Sequence, residues 1–125
     1  MSRNRYVGSW EEPVSDRIAL PFTIDSASQV LKWGASPGTA PFTHHDISSW
    51  CYRFWEQFMD VDTSPEIEQV LSIVAEVDCQ WDLYLANTYS LEQLQKLDFD
   101  TVSIPIEWFS EWLQTLQTEV PRETS

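Results

Sequence analysis

The stretch that most constrains the fold runs from Phe42 to Asp60, FTHHDISSWCYRFWEQFMD. Thr43 and Asp46 have the spacing of a capping box, which predicts that a helix begins here, with Phe42 packing on Ile47 as a hydrophobic staple. Apolar residues then recur every three or four positions and so share one face of the helix. They are Ile47, Trp50, Cys51, Phe54, Trp55 and Phe58. A face this wide and aromatic predicts a helix at the centre of a core.

The residues before this helix predict a short helix and an arm. Apolar spacing indicates a helix over Ile24–Trp33 that stops at Gly34. Glycine and proline interrupt residues 1–22, so we expect an irregular or extended N-terminal arm, with Arg17–Phe22 as an extended piece or edge strand. The candidate caps of the short helix are Asp25 and Ser26.

Beyond the central helix, the apolar pattern predicts one long helix over Pro65–Ala86, with proline in its first turn where no N–H is needed. Residues 80–86 also alternate between apolar and polar, so a strand there is the open alternative. Ser90 and Gln93 form a second capping-box pattern, which predicts a short helix ending near Asp98.

Pro105 predicts the start of a last helix with one apolar face. The chain is therefore expected to be mainly α, a single-domain bundle of about five helices over residues 1–125. Residues 1–22 form the arm, 23–118 the helical core and 119–125 a frayed tail. Short connections predict that the second and third helices form a hairpin, with the last helix packed across it.

The charge of the chain is strongly acidic, with a formal net charge of -13, and it is unevenly distributed. Residues 1–55 hold five acids and five Lys or Arg, which cancel, whereas residues 56–121 hold fourteen acids and one lysine, which gives 1 − 14 = −13. Such a surface repels nucleic acid and anionic membranes and attracts basic proteins. The predicted partner is therefore a basic protein, with no nucleic acid and no membrane.

No catalytic, cofactor or metal motif is found, so the chain is not expected to be an enzyme. His44, His45 and Asp46 are adjacent, and neighbouring helical side chains point about 100° apart, which argues against a shared metal ion. Cys51 and Cys79 lie among apolar residues in predicted helices, where a thiolate is disfavoured. We predict no metal and no cofactor, with the histidines serving as first-turn polar residues.

Two pairs of like charges are spaced i, i+4 on predicted helices: Asp78 with Asp82, and Glu107 with Glu111. This arrangement costs about 0.2 to 0.5 kcal/mol of helix stability per pair. Such a cost indicates either a solubility device or a binding face. In the second case, carboxylates of the third and fifth helices steer the partner, and aromatic residues at the margins of the apolar faces anchor it. The predicted partner-binding residues are Glu68, Glu76, Asp78, Asp82, Glu107, Glu111, Trp33, Tyr52 and Trp108.

In general profile, a small, acidic, tryptophan-rich domain of this kind looks like bacterial immunity proteins and other protein inhibitors that neutralise basic nucleases. The leading hypothesis is a non-enzymatic module that docks a basic protein surface. The alternatives are a structural or assembly subunit of a larger complex, of undetermined oligomeric state, and an enzyme with an unrecognised carboxylate site. Without an apolar segment of signal-peptide or membrane-spanning type, a cytoplasmic location is expected.

Overall fold

The computed structural model describes residues 3–7 and 10–119, and the side chains of 10–118. The described chain is mainly α, as predicted, with five α-helices and a short N-terminal hairpin. The elements are β1 (Arg3–Val7), β2 (Trp10–Val14), α1 (Ile24–Ala35), α2 (His44–Phe58), α3 (Pro65–Thr88), α4 (Leu91–Lys96), a 3-10 turn (Phe99–Thr101) and α5 (Ile106–Glu119).

The N-terminal arm is extended, as predicted, over β1 and β2. These strands pair antiparallel, with Val7 opposite Trp10, whereas Arg17–Phe22 contains neither a strand nor a helix, so the edge-strand alternative for that segment is wrong. Burial alternates along β2, with Trp10 and Val14 turned inward, and Ile18 is completely buried. The arm therefore contributes to the core instead of lying outside it.

Helix α1 is longer than predicted. Its cap is Thr23, whose side chain accepts a hydrogen bond from the Ser26 backbone N–H, and the helix continues through Gly34 to Ala35. A Cβ atom at residue 34 would lie 2.3 Å from the ring of Phe109, so glycine is required by the close approach of α5 and not by a helix stop. Glycine lowers helix propensity by about 1 kcal/mol, a cost that the packing offsets.

Helix α2 confirms the predicted helix and its buried aromatic face, except that Trp55 is 36% exposed and lies outside that face. Both hydrogen bonds of the Thr43–Asp46 capping box are present. Trp50 and Phe54 are fully buried, and their rings lie 5.4 Å apart in an edge-to-face arrangement that aromatic pairs prefer. Trp50 also donates its indole N–H to the Leu20 carbonyl, which holds the end of the arm on the helix.

Helix α3 excludes the strand alternative, because residues 80–86 continue a helix that begins at the Ser64 cap and ends at Thr88. Its inward face carries buried side chains at helical spacing, and Trp81 and Leu85 belong to it. The alternation of apolar and polar residues in this segment is incidental, because Trp81 and Leu85 face the core while Leu83, between them, is exposed.

The last elements close the bundle. The capping box of Ser90 and Gln93 is present at α4, which ends at Lys96. Helices α2 and α3 pack side by side as the predicted hairpin, and α5 packs mainly on α1 and to a smaller extent on α3. Helix α5 continues to Glu119, and the predicted frayed tail beyond it, 120–125, lies outside the described residues.

Candidate functional site

Polar groups concentrate at two places in the structure. One, which we call the buried polar cluster, lies at the N-terminus of α2: Glu12, His45 and Asp46 are buried in it, and Ser15, Arg17 and Asp100 contact them from nearer the surface. The other is the α3–α5 groove, which is lined by Gln69, Ser72, Ile73, Glu76, Gln80, Trp108, Glu111, Trp112 and Thr115. Their geometries differ, and so do their possible roles.

His44 lies beside the cluster and connects three segments. Its Nε2–H donates to the Gly34 carbonyl at 2.9 Å, and its Nδ1 accepts from the Ile104 backbone N–H at 3.0 Å. These partners fix one neutral tautomer, because one ring nitrogen must donate and the other must accept. Burial lowers the pKa of His44 below its usual value, which agrees with a neutral ring.

His45 bridges the arm and the 3-10 turn. Its Nε2 donates to the Pro13 carbonyl at 2.8 Å, with Glu12 Oε2 at 3.6 Å, while Nδ1 lies 3.3 Å from Asp100 Oδ1. The ring stacks on Trp81 at 5.9 Å between centroids. Both histidines are therefore first-turn polar residues of α2, as predicted, and both are buried in the interior.

Asp46 is almost fully buried and accepts hydrogen bonds at both oxygens. Oδ2 accepts from the Thr43 backbone N–H at 3.1 Å, and Oδ1 accepts from the Ser15 hydroxyl at 2.6 Å. The Arg17 guanidinium lies 3.5 Å from Asp46 and 3.6 Å from Asp100, so it faces both carboxylates. The cluster thus contains its own cation, and it ties the arm to α2 and to the 3-10 turn.

Glu12 extends the cluster towards α3. It is 3% exposed, and its Oε2 accepts from the Trp81 indole N–H at 2.9 Å, a contact that spans 69 residues. A buried carboxylate needs such donors because its desolvation is otherwise costly. The cluster therefore joins the N-terminal arm to the centre of α3.

The cluster also contains a group of metal-binding residue types. Single ligand atoms of His45, Asp46 and Asp100 lie within 4.8 Å of one another, so the argument that adjacent helical residues cannot converge is wrong for His45 and Asp46. An ion at this place would displace the Arg17 guanidinium and compete with the helix cap. The hydrogen-bond pattern therefore supports a structural role for these residues.

The contacts in and near the buried polar cluster do not favour nucleophilic catalysis. Ser15 donates to Asp46 and not to a histidine, so no hydroxyl–imidazole pair forms there. The space beside Glu12, Ser49 and Tyr52 has no room for a water molecule. Burial raises the pKa of the Cys51 thiol far above its usual value, which keeps it protonated. Cys79, in contrast, is exposed, so the expectation of apolar surroundings for both cysteines is wrong for Cys79.

The α3–α5 groove is open to solvent and acidic. It consists of two adjoining cavities of about 310 Å³ and 240 Å³, which share Glu76 and Trp112 as lining residues. Glu76 Oε2 accepts from the Trp112 indole N–H at 2.6 Å, while Glu111 lines the second cavity. None of the described residues that line the groove is Lys or Arg, so its carboxylates are not balanced by a neighbouring cation within it.

Aromatic side chains form the wall of the second cavity. Trp108 is half-buried, and its ring lies 6.3 Å from Trp112 and 6.2 Å from Tyr84, both in edge-to-face arrangements. These contacts fix Trp108 while part of its surface stays in water. An ordered, partly exposed indole beside a carboxylate is a common element of protein-binding surfaces.

The structure brings together three of the predicted partner-binding residues, Glu76, Glu111 and Trp108, in this groove. Glu68 and Glu107 are exposed on the same two helices but do not line it. The other four lie elsewhere. Trp33 packs on Phe42 at 5.0 Å, Tyr52 donates to Glu56 at 3.3 Å, Asp78 lines the closed space beside Tyr52, and Asp82 is half-buried.

Four residues of these two regions could not be assigned to them from the sequence pattern alone, or were not. Glu12 had a usable signal, because Trp10, Glu12 and Val14 alternate with exposed residues and so share the inward face of a strand. Trp112 was assigned to the core without regard to its N–H, which needs an acceptor. Gln80 follows Glu76 by one helical turn, so it shares the same face. Asp100 lies in a connection with no pattern that would identify it.

Comparisons with known proteins supply no relative: no family model, curated protein or solved structure matches the chain. Among the described helices, none is both long enough and apolar enough to cross a membrane. Function can therefore be inferred only from the geometry of the two polar regions.

Proposed function

We propose that the protein is a non-enzymatic binding module that docks a basic protein surface through the acidic faces of α3 and α5. The observation that supports this is the α3–α5 groove, in which Glu76 and Glu111 accompany Trp108 without a basic lining residue. Potentials that complement a basic surface raise association rates and select partners. Inhibition of a basic enzyme is the form of this function that the general profile favours.

The acidic residues on the outer faces of α3 and α5 are accessible to a partner, unlike the carboxylates of Glu12 and Asp46 in the buried polar cluster. Glu68, Glu107 and Glu111 are exposed, so a partner reaches them without rearrangement of the bundle. Lys96 is the single Lys or Arg within residues 56–121, so intramolecular neutralisation is limited. The surface charge therefore acts at long range, over the Debye length of the solution.

The test is the association rate as a function of salt. Affinity capture from the native cell supplies a partner, and stopped-flow mixing then measures the association and dissociation rates. As ionic strength rises from 0.01 M to 0.1 M, the Debye length shrinks from about 30 Å to about 10 Å, so association should slow markedly while dissociation changes less.

Two variants with equal loss of charge sharpen this test. Neutralising four acids on the faces of α3 and α5 should reduce both the association rate and its salt dependence. Neutralising four exposed acids elsewhere should have a smaller effect. The face variant combines Glu68→Gln, Glu76→Gln, Glu107→Gln and Glu111→Gln, and the control combines Glu11→Gln, Asp16→Asn, Asp60→Asn and Glu92→Gln. If the parent and the face variant associate at equal rates at every salt concentration, the charge serves solubility and the proposal fails.

A second candidate function is an assembly subunit, and a different surface supports it. Trp55, Met59 and Val61 are 36%, 47% and 57% exposed near the end of α2. Exposed apolar residues at neighbouring positions are frequent in subunit interfaces. Sedimentation of the parent and of Met59→Glu tests this alternative: an assembly that the charged variant dissolves would favour it, and a parent that stays monomeric at high concentration would oppose self-assembly.

The enzyme hypothesis has the least support. Glu76 and Glu111 line one cavity, but both are exposed to water, whereas paired catalytic carboxylates depend on environments that separate their protonation behaviour.

A further inference from the structure

We infer that the α3–α5 groove binds an arginine side chain of the basic partner, with the guanidinium between Glu76 and Glu111 and against the exposed part of the Trp108 ring. This inference deepens the proposed function and rests on it, because it names the group by which the partner is recognised. It is carried by the shape of the groove, its charge and the hydrogen bond that orients Glu76.

The first support is the orientation of Glu76. Its Oε2 accepts from the Trp112 indole N–H at 2.6 Å, and Trp112 is 6% exposed, so the donor is fixed in the bundle. This hydrogen bond restrains the carboxylate at the junction of the two cavities, although Glu76 itself is on the surface. The second oxygen, Oε1, makes no hydrogen bond within the described part of the chain. A partner therefore meets a carboxylate with little conformational entropy left to lose.

The second support is the composition of the smaller cavity of the groove. The cavity of about 240 Å³ is lined by Glu76 and Glu111, the amide of Gln80, and the indoles of Trp108 and Trp112. Two carboxylates and an amide oxygen can accept several hydrogen bonds, while the indoles offer flat apolar surface. A ligand that satisfies both features is planar, cationic and rich in N–H donors.

Among protein side chains, arginine has this combination. Its guanidinium carries five N–H donors in a plane, stacks on aromatic rings and is more weakly hydrated than an ammonium group. Lysine offers a point charge that would pair with either carboxylate but would gain less from the Trp108 ring. The groove therefore discriminates between the two basic side chains, which a diffuse acidic surface does not.

The probe for this inference is a pair of end-blocked peptides of equal length, one made of arginine and one of lysine. Peptide binding is followed through the indole N–H resonances of Trp108 and Trp112, with Trp108→Phe as the assignment variant. At equal salt, we expect the arginine peptide to bind about two- to fivefold more tightly, the ratio that corresponds to an exposed cation–aromatic contact. Its binding should shift both indole resonances.

Matched single substitutions locate the site. Glu76→Gln and Glu111→Gln should each weaken binding of the arginine peptide by about tenfold, the loss of one charge-assisted hydrogen-bonded pair. Glu68→Gln and Glu107→Gln remove the same charge from the same helices outside the groove, so they should weaken it by less than about twofold. Glutamine at residue 76 keeps an acceptor for the Trp112 N–H, which preserves the fold.

Equal effects of the four substitutions, or equal affinity for the two peptides, would overturn the inference. The proposed function would survive those results if partner association still depended on salt and on the acidic face. Conversely, if the partner associates without salt dependence while the arginine peptide still shifts Trp108 and Trp112, the docking proposal fails and the groove remains an arginine site.

Discussion

The buried polar cluster and the α3–α5 groove contain similar acidic groups but use them differently. In the cluster, Asp46 accepts hydrogen bonds at both oxygens and Arg17 lies within 3.6 Å of two carboxylates. In the groove, Glu76 receives one indole N–H, and no basic residue lines the described cavity. The comparison shows that the acidity of this chain has two origins. Acids that stabilise the fold have donors within it, whereas acids of the groove leave hydrogen-bonding capacity for another molecule.

The largest expected loss of stability comes from a substitution in the aromatic core, against which a substitution in the α3–α5 groove can be compared. Trp50→Ala should lower the free energy of unfolding by about 3 to 5 kcal/mol, because it removes a fully buried indole from the centre of the bundle. Trp108→Ala should cost less, because that ring is only half-buried. Urea denaturation measures both. Similar losses would place Trp108 with the core and not with a binding surface.

The buried polar cluster can be broken at its most connected residue. Asp46→Ala removes the capping-box acceptor of the Thr43 N–H, the acceptor of the Ser15 hydroxyl and one carboxylate facing Arg17, so we expect a loss of about 2 to 3 kcal/mol. Asp16→Ala, at an exposed position one residue from Ser15, should change stability by less than about 0.5 kcal/mol. Thermal unfolding compares the two. A loss at Asp46 as small as the control would mean that the cluster does not stabilise the fold.

The pH dependence of stability should report on His44. Its pKa is lowered in the folded state, so as the pH falls through the ordinary value of 6.5 the unfolded chain takes up a proton that folded His44 does not yet bind. The contribution of neutral His44 to the free energy of unfolding is therefore fully present above pH 6.5 and is lost as the pH falls below that value. His44→Gln should be less stable than the parent at pH 8, because the glutamine does not reproduce both backbone contacts, and the difference should narrow towards acidic pH.

Urea denaturation at a series of pH values measures this difference. Subtraction of the variant from the parent removes whatever pH dependence both proteins share. A difference that stays constant or widens as the pH falls would contradict a buried neutral His44. Substitution of either histidine is not expected to be neutral, since each ring bonds two segments of the chain.

How far the sequence predicted this structure depends on whether the relevant interaction is local. The capping boxes at Thr43 and Ser90 were identified because cap and N3 residue are three positions apart. The roles of His44 and His45 were missed, since their partners are the Ile104 N–H and the Pro13 carbonyl, and backbone groups carry no sequence signature. Long-range polar contacts of this kind become visible only when the packing is known.

The candidate groove was half predictable for a related reason. Asp78 is two residues from Glu76, so it points about 200° away around the helix, and the sequence does not say which direction faces solvent. Packing of α2 against α3 leaves Glu76 exposed and Asp78 half-buried. The charge distribution therefore indicated that α3 and α5 carry much of the acidity, while the choice of Glu76 and Glu111 as candidates required the arrangement of these two helices.

The smallest expected effect on stability is also the sharpest test of the comparison. Glu111→Gln relieves repulsion from Glu107 one turn earlier, so stability should stay unchanged or rise by about 0.2 to 0.5 kcal/mol. Asp46→Asn makes the same chemical change in the buried polar cluster and should be clearly destabilising. Calorimetry of the two variants decides the matter. If Glu111→Gln destabilised the protein as much as Asp46→Asn, the groove carboxylates would belong to the fold.

The hydrogen bonds that close the bundle also set constraints on how it is assembled. Glu12 meets Trp81 across 69 residues, and His44 meets Ile104 across 60. Helical proteins usually fold fast because their contacts are close in sequence, and contacts this distant slow the search. During synthesis on the ribosome, the early segments must wait for residues 81 and 104 before their carboxylate and imidazole find partners. Such a domain should acquire its native packing late, after nearly all of its helices have emerged.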